Sequence, residues 1–554
     1  MTDEDHTPPP LPRSDAMTAA LHWGLVAVVL VSLGSGLRIA ADAPDAALPQ
    51  ALSGVLPQGE VVVWHLWSSV AVTFIAVAYV AYVVHAGLGG RLALDAARLR
   101  AIAGGDRTGR WQAIGVMGHW FAFALVAGMA ATGGLLYVEV AALPHEALAG
   151  LHRMLAWGFV AHAVIHVAIQ AVLGPRQLAK MFAPRLAYGS AAGVALLTSG
   201  GAIAMVFVLD EAAMTTLPVT RVEAGLAPVI DGYFDDAAWT GAEAVTLRTV
   251  RGRNLPGGEV PVTVRAVHDG QTAYFSFEWP DPTRSQKHLP LIKGEMGWFL
   301  AGSDDHERRD ENDFHEDMLA VMLARSPRPG GGAAHLGPTP AGAPGSPNQR
   351  GLHFTTDGSV VDVWQWRSVR TNPMGRMDDT YFGPPADPAG TKGAEAAYVT
   401  GHGTDPEAGG GYEDNHIALG DGRVRPLYLP RTPFLLARLG RFDLDPGASD
   451  AGEWWLAKAD TVPYGEPLDA RYPIGTVLPS VVVEGPFQGD RGDVRALGRW
   501  HDGRWRLEAS RRLKTGSEFD LPIATGIHLW VAAFDHSQTR HSQHLHPLRL
   551  AVEE

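Results

Sequence analysis

The sequence predicts two unlike parts: a membrane all-α domain, built as a four-helix bundle plus a fifth transmembrane helix, and then a mainly-β sandwich domain. Three observations predict this. Five apolar runs of about 20 residues fall within the first 210 positions, the length a helix needs to cross a hydrocarbon core. Charge is segregated: residues 1–210 hold 11 Lys+Arg and 12 Asp+Glu, and the remainder holds 34 and 47, a net of −13. From about residue 219 the texture turns to short apolar–polar alternation broken by Gly and Pro. The boundaries that follow are a tail at 1–16, a five-span domain at 17–210, a linker at 211–221 and the sandwich at 222–554. A neutral chain-wide mean hydropathy is the average of these two parts.

The spans are expected at about 17–38, 61–88, 112–137, 150–174 and 187–209. The first is retained rather than cleaved, because "MTDEDHTPPPLPRSD" lacks a basic n-region and the run exceeds a signal core of roughly 7–15 residues. Orientation follows from basic residues in short loops. The loop after the second span carries Arg91, Arg98, Arg100, Arg107 and Arg110, and the one after the fourth carries Arg176, Lys180 and Arg185. The loops after the first and third offer little beyond Arg38, beside Asp42, Asp45, Glu60, Glu139 and Glu146. The expectation is a multi-pass protein of the cytoplasmic (inner) membrane, with a cytoplasmic N-terminus and a periplasmic C-terminal domain.

Ionisable groups inside a bilayer are costly and mark function by default. The fourth span, "GLHRMLAWGFVAHAVIHVAIQ", carries three histidines. His152 and His166 are 14 residues apart, which places them about 21 Å apart along the helix and about 40° apart around it. One face therefore presents an imidazole near each side of the membrane. His65, opening the second span, lies at the depth of His152. The inner side holds His22, His85, His119, His162 and His166. Two histidines from facing helices at one depth can ligate a haem iron, and bundle interiors build such sites. The absence of cysteine excludes disulfides, iron–sulfur clusters, thiolate zinc and haem attached through C-x-x-C-H.

The segments "ALHWGLVAVVL", "VVWHLW" and "GLHRMLAWGFVAHAVIH" carry a resemblance to the prokaryotic di-haem cytochromes b that serve membrane formate dehydrogenases and nickel–iron hydrogenases. The resemblance implies a di-haem bundle. His22 and His166 then bind a cytoplasmic-side haem b, with His85 or His119 as substitutes, and His65 and His152 bind a periplasmic-side one. It also implies exchange of electrons with quinone or quinol dissolved among the membrane lipid.

In the second part, "VPVTVRAVHDGQTAYFSFEW" alternates on both sides of "DGQ" and reads as a β-hairpin. "DGSVVDVWQWRSVR" and "IHLWVAAFD" read as further strands. About 335 residues of such strands with Gly/Pro turns predict a sandwich. Residues 326–350 are low in complexity and read as a loop. The stretch "SDDHERRDENDFHED" lacks the spacing of a calcium loop and reads as a solvated charged segment. The acidic balance argues against nucleic acid as a partner.

"PVIDGYFDDAAW", "YFSFEWPDPTRS", "VVDVWQWRSVRTNPMGRMDDTYFG" and "GRWRLEASRRL" followed by "HLWVAAFD" are similar to the haem-binding domain of the ethylbenzene dehydrogenase gamma subunit and its chlorate and dimethylsulfide dehydrogenase counterparts. That domain holds one b-type haem between Met and Lys, so the resemblance implies a third haem here. At the position of the family's Met this chain has His353, with Met374 downstream. Lys514 is the matching lysine, and His541, His544 and His546 compete with it.

The reading that results is an electron-transfer protein or oxidoreductase subunit, linking the quinone pool to a periplasmic electron-transfer protein or dehydrogenase. The alternative is a di-haem cytochrome carrying a haem-free, ligand- or carbohydrate-recognising sandwich. An ion transporter fits poorly, because the span centres lack acidic residues and five spans give no inverted repeat.

Overall fold

In lipid, a long apolar segment satisfies its backbone polar groups as a helix, and five such helices form: α1 (Ala16–Ala40), α2 (Val61–His85), α3 (Arg107–Tyr137), α4 (His145–Leu173) and α5 (Gly189–Ala213). All five are long and apolar enough to cross a membrane. The structure, a computed structural model, describes residues 15–40, 52, 55–57, 61–104, 107–139, 142–173, 181–182, 189–303, 311–328, 354–355, 357–384, 401–420 and 422–554. The chain divides into two compact units that meet in sequence between Ala213 and Met214. In the first, a short helix over Ala96–Gly104 occupies the arginine-rich loop. Asp15, just before α1, is buried and accepts hydrogen bonds from the Tyr82 hydroxyl at 2.6 Å and Arg91 at 2.8 Å. These tie the start of α1 to the end of α2 and to the loop that follows it.

The second unit is built on a twelve-stranded sheet. Its strands are β1 (Thr215–Arg221), β2 (Val245–Thr249), β3 (Val260–His268), β4 (Thr272–Pro280), β5 (Met318–Ala324), β6 (Val361–Arg367), β7 (Asp378–Phe382), β8 (His402–Thr404), β9 (Arg495–His501), β10 (Arg504–Arg512), β11 (His528–Phe534) and β12 (Leu548–Val552). The order is β8-β7-β6-β5-β11-β12-β1-β3-β4-β10-β9, with β2 against β3. Most pairs are antiparallel, but β1 runs parallel to both β12 and β3. Three smaller sheets complete the domain.

The large sheet curls on itself. The amide of Met377, just before β7, donates to Val494 at 3.0 Å, and that of Ala496 in β9 donates to Gly375 at 3.1 Å. Alternation then puts one face of most of the strands inside. Phe275 and Phe277 of β4, Trp364 and Trp366 of β6, and Trp505 of β10 are buried. Rings meet across the two halves: Phe275 and Trp364 at 5.8 Å between centroids, Trp366 and Trp505 at 4.8 Å. Aromatic pairs at such separations add about 0.5–1.5 kcal/mol each beyond the area they bury.

Two expectations change. The segment 211–221 is not an open linker: α5 continues to Ala213, and Thr215–Arg221 is β1, with Leu217 and Val219 fully buried. The acidic stretch after residue 302 is not a solvated segment over its described length. Glu311, His315, Glu316 and Asp317 are buried, because each carboxylate meets fixed donors. Glu311 accepts the amides of Ser303, Asp313 and Phe314 at 2.6–3.0 Å. Glu316 is clasped by the Arg370 side chain and by its amide at 3.0 Å. Asp317 takes Ser285 N–H at 2.7 Å and the Trp505 indole at 3.1 Å. Buried carboxylates of this kind persist only with such donors.

Candidate functional site

In the membrane domain, α1 and α4 bring His22 and His166 together with ring centroids 6.2 Å apart. Helices α2 and α4 bring His65 and His152 together at 6.3 Å, with the rings nearly perpendicular. Two imidazoles on opposite sides of one metal, each with a metal–nitrogen bond of about 2 Å, have centroids on the order of 6 Å apart. Both separations fit that arrangement.

The His65–His152 pair also shows how the rings are oriented. Nδ1 of His65 lies 3.0 Å from the Ser32 carbonyl and 3.3 Å from the Ser35 hydroxyl. Nδ1 of His152 lies 2.8 Å from the Thr132 hydroxyl. An Nδ1–H donated to a carbonyl fixes the tautomer and leaves the lone pair on Nε2, the usual support for a metal-binding histidine. Glycine makes room for each ring: a Cβ at Gly36 would come within 3.0 Å of the His65 Cε1, and one at Gly133 within 3.3 Å of the His152 Cε1. The residues present therefore fit a bis-histidine haem.

The end that holds His22 and His166 is more crowded. His166 lies 5.9 Å from His119 on α3 and 5.9 Å from His162 one turn earlier on its own helix, besides 6.2 Å from His22. His85 ends α2 and is exposed, and it joins none of these ring contacts.

Of the six residues named in the β domain, His541 holds Nδ1 2.7 Å from the Ser542 carbonyl and His546 is half-buried, and the other four lie in different surroundings. His353 lies outside the described residues. Met374 is buried in an apolar cluster with Val369, Trp454, Val481, Val483 and Phe487. Lys514 is exposed after β10. His544 is buried with both ring nitrogens engaged: Nε2 accepts Val531 N–H at 2.9 Å, and Nδ1 lies 2.7 Å from the His546 carbonyl. It has no nitrogen left for iron, and it does not fit an axial ligand. Burial pushes its pKa down to about 4.

Sequence reasoning missed a buried pair, His288 and His315, whose centroids are 4.9 Å apart. Burial and the Arg370 guanidinium hold both well below the usual histidine range. That spacing is too close for a metal between the rings. Neither residue sits in a periodic apolar run, so nothing local marked them. A recess of about 400 Å³ beside the "DGYFDDAAW" segment is lined by Tyr233, Phe234, Trp239, Arg265, Glu278 and Arg506.

Comparison with known proteins locates both halves. Residues 236–545, more than half of the chain, match the family model described as Ethylbenzene dehydrogenase, and residues 13–184 match that of Prokaryotic cytochrome b561. No curated protein matches. Among solved structures, the chain is similar to a family 9 carbohydrate binding module from Caldicellulosiruptor kristjanssonii in complex with glucose, at 10% identity and a TM-score of 0.23, covering 61% of this chain and 97% of that one. It is also similar to a putative carbohydrate-binding protein from Bacteroides uniformis, at 10% identity and a TM-score of 0.24, covering 61% and 99%. With paired histidines in apolar spanning helices and both family matches in place, the chain belongs to the ethylbenzene dehydrogenase family and carries a prokaryotic cytochrome b561 domain at its N-terminal end, a multi-pass b-type cytochrome of membrane electron transfer.

Proposed function

We propose that this protein carries electrons between the quinone pool and a periplasmic redox partner, with His65 and His152 holding one b haem and His22 and His166 a second. The observation that carries the reading is the matched pair of ring separations, 6.3 and 6.2 Å, at the two ends of one helix face. When bound, haem supplies a one-electron couple whose potential the protein sets through ligands, hydrogen bonds and burial. The side chains of this domain do the rest. The Ser32 carbonyl holds the His65 imidazole in one tautomer, and the Thr132 hydroxyl anchors Nδ1 of His152. Gly36 and Gly133 let those rings lie close against α1 and α3. In this reading the arginine-rich loop between α2 and α3 faces the cytoplasm, so the β domain is periplasmic and meets the partner there. The third haem of that domain then depends on His353, Met374, Lys514, His541 or His546, since His544 is committed to the backbone.

The test is haem and protein quantification with reduced-minus-oxidised spectra on the full chain and on His152→Ala/His166→Ala. Two haems should be lost in the double variant. Any haem that remains belongs to the β domain. Membranes holding the protein without haem absorbance would refute the reading. A second reading, a haem-free recognition domain on a di-haem anchor, is favoured by the aromatic and charged recess at Tyr233, Trp239 and Arg506. A double variant devoid of haem would select it.

A further inference from the structure

Five aspartates converge where β6, β7 and the chain ends near β8, β9 and β10 meet. In the β6–β7 ladder Asp362 faces Tyr381 and Trp364 faces Asp379. With a side-chain period of two, Asp362, Trp364, Asp379 and Tyr381 share one face. From the other half of the curled sheet Arg511 lies 4.8 Å over the Trp364 ring and donates to Asp362 Oδ2 at 2.6 Å and Asp520 Oδ1 at 3.0 Å. The Leu521 amide also reaches Asp362 Oδ2, at 3.0 Å. The Asp405 amide donates to the Asp379 carbonyl at 3.2 Å, and Asp493 directly precedes the Val494 that pairs with Met377.

Among the described residues Arg511 donates to two of the five carboxylates, the Arg376 guanidinium also acts on Asp493, and most of the carboxylate oxygens have no donor. Asp379 is fully buried and no donor group reaches either of its carboxylate oxygens, the Asp493 carboxyl being its polar neighbour. Nor does a donor reach either oxygen of Asp405, itself 2% exposed, or one oxygen each of Asp362, Asp493 and Asp520. Oxygens of Asp362, Asp379 and Asp520 lie within 4.8 Å of one another. Buried carboxylates with neither donors nor counter-charge are costly to maintain.

We propose that Asp362, Asp379 and Asp520, backed by Asp405 and Asp493, form a binding site for a calcium ion. A hard cation takes six to eight oxygens at about 2.3–2.6 Å, so two ligands on opposite sides of it lie about 5 Å apart. The three carboxylates meet that spacing, and the partnerless oxygens are the ligands such an ion requires. Calcium is favoured over magnesium because magnesium dehydrates reluctantly and keeps several waters, whereas these carboxylates are buried. Burial and mutual repulsion push Asp405 up to about 7 and Asp493 to about 6, and Asp379 well above the usual range, so that without a cation Asp379 would hold a proton at neutral pH while Asp405 and Asp493 titrate at or just below it. Shared protons are thus the rival account, and calcium and protons compete in the same site.

The full chain in detergent, washed with chelator, should be titrated at pH 7.5 with calcium chloride, and with magnesium chloride in parallel. Tryptophan emission, to which Trp364 contributes from beside Asp379, is read together with calcium content by elemental analysis. One calcium per chain, a saturable emission change and at least tenfold weaker binding in Asp379→Asn are expected, with the haem spectrum unchanged. Asp405→Asn, which leaves the three closest carboxylates in place, should weaken binding by a smaller factor. No calcium retained and no response to titration would overturn the site in favour of shared protons. An equal response to magnesium would overturn the choice of calcium.

Discussion

His166 has three imidazole neighbours at nearly equal distance, and the choice among them is a residue-scale question. His162 sits on the same helix one turn away and cannot face His166 across an iron. His119 and His22 come from other helices. If His22 is the ligand, His22→Ala removes the inner haem from the difference spectrum, while His119→Ala retains it with a shifted potential. Spectra of the two variants decide the point. His544 poses the opposite case, a histidine whose work is structural. His544→Ala leaves the Val531 amide and the His546 carbonyl unpaired, and should cost the β domain about 2–4 kcal/mol in urea unfolding without altering haem content. The folded state keeps His544 neutral down to about pH 4, whereas an unfolded histidine protonates near 6.5. The unfolded chain therefore binds the extra proton first, and stability falls as pH drops from about 6.5 to 4, by on the order of 3 kcal/mol. His544→Gln should flatten that slope. The membrane histidines were legible because helix geometry converts a spacing of 14 into a shared face. His544 was not, because its partners are backbone groups brought to it only by the fold.

At the scale of elements, the strands with strict alternation were legible, β3 and β4 most of all, since one buried face imposes a period of two. The Trp pair of β6 was legible as strand but not as the centre of the fold. Its partners explain why. The Trp366 indole donates to Asn372 Oδ1 at 3.0 Å, and the same oxygen accepts the Gly498 amide of β9 at 2.7 Å. A Cβ at 498 would overlap the Trp366 ring. Gly498→Ala should therefore destabilise the β domain by about 1–3 kcal/mol, read by chemical denaturation, with the membrane haems unaffected. The acidic stretch was misread because composition alone cannot show that Glu316 meets Arg370 or that Asp317 meets Trp505. The start of β1 was missed for a related reason: Pro218 in "TTLPVTR" argues against a strand, yet the strand forms with Leu217 and Val219 inward.

For the whole molecule, the proposed orientation puts the arginines at 91–110 on the cytoplasmic side. A reporter that is active only outside the cytoplasm should be active when fused after Glu554 and silent when fused within residues 92–106. The reverse pattern would invert the molecule and move its partner to the cytoplasm. The division between an apolar helical part and a β part was plain from charge segregation and texture. The axial ligands of a third haem were not, because they depend on loops whose course no periodicity records. One arrangement in the β domain has a temporal consequence. β1 follows the fifth long apolar helix in sequence, yet it lies between β3 and β12, and β12 spans Leu548–Val552. During synthesis β1 emerges some 330 residues before its neighbour, so the sheet stays open at its centre until the final strand has been delivered. Such distant pairing is slow to form. The domain is therefore expected to assemble only after β12 has been made, and removal of residues 548–554, which carry β12, would deny it a folded state rather than trim it.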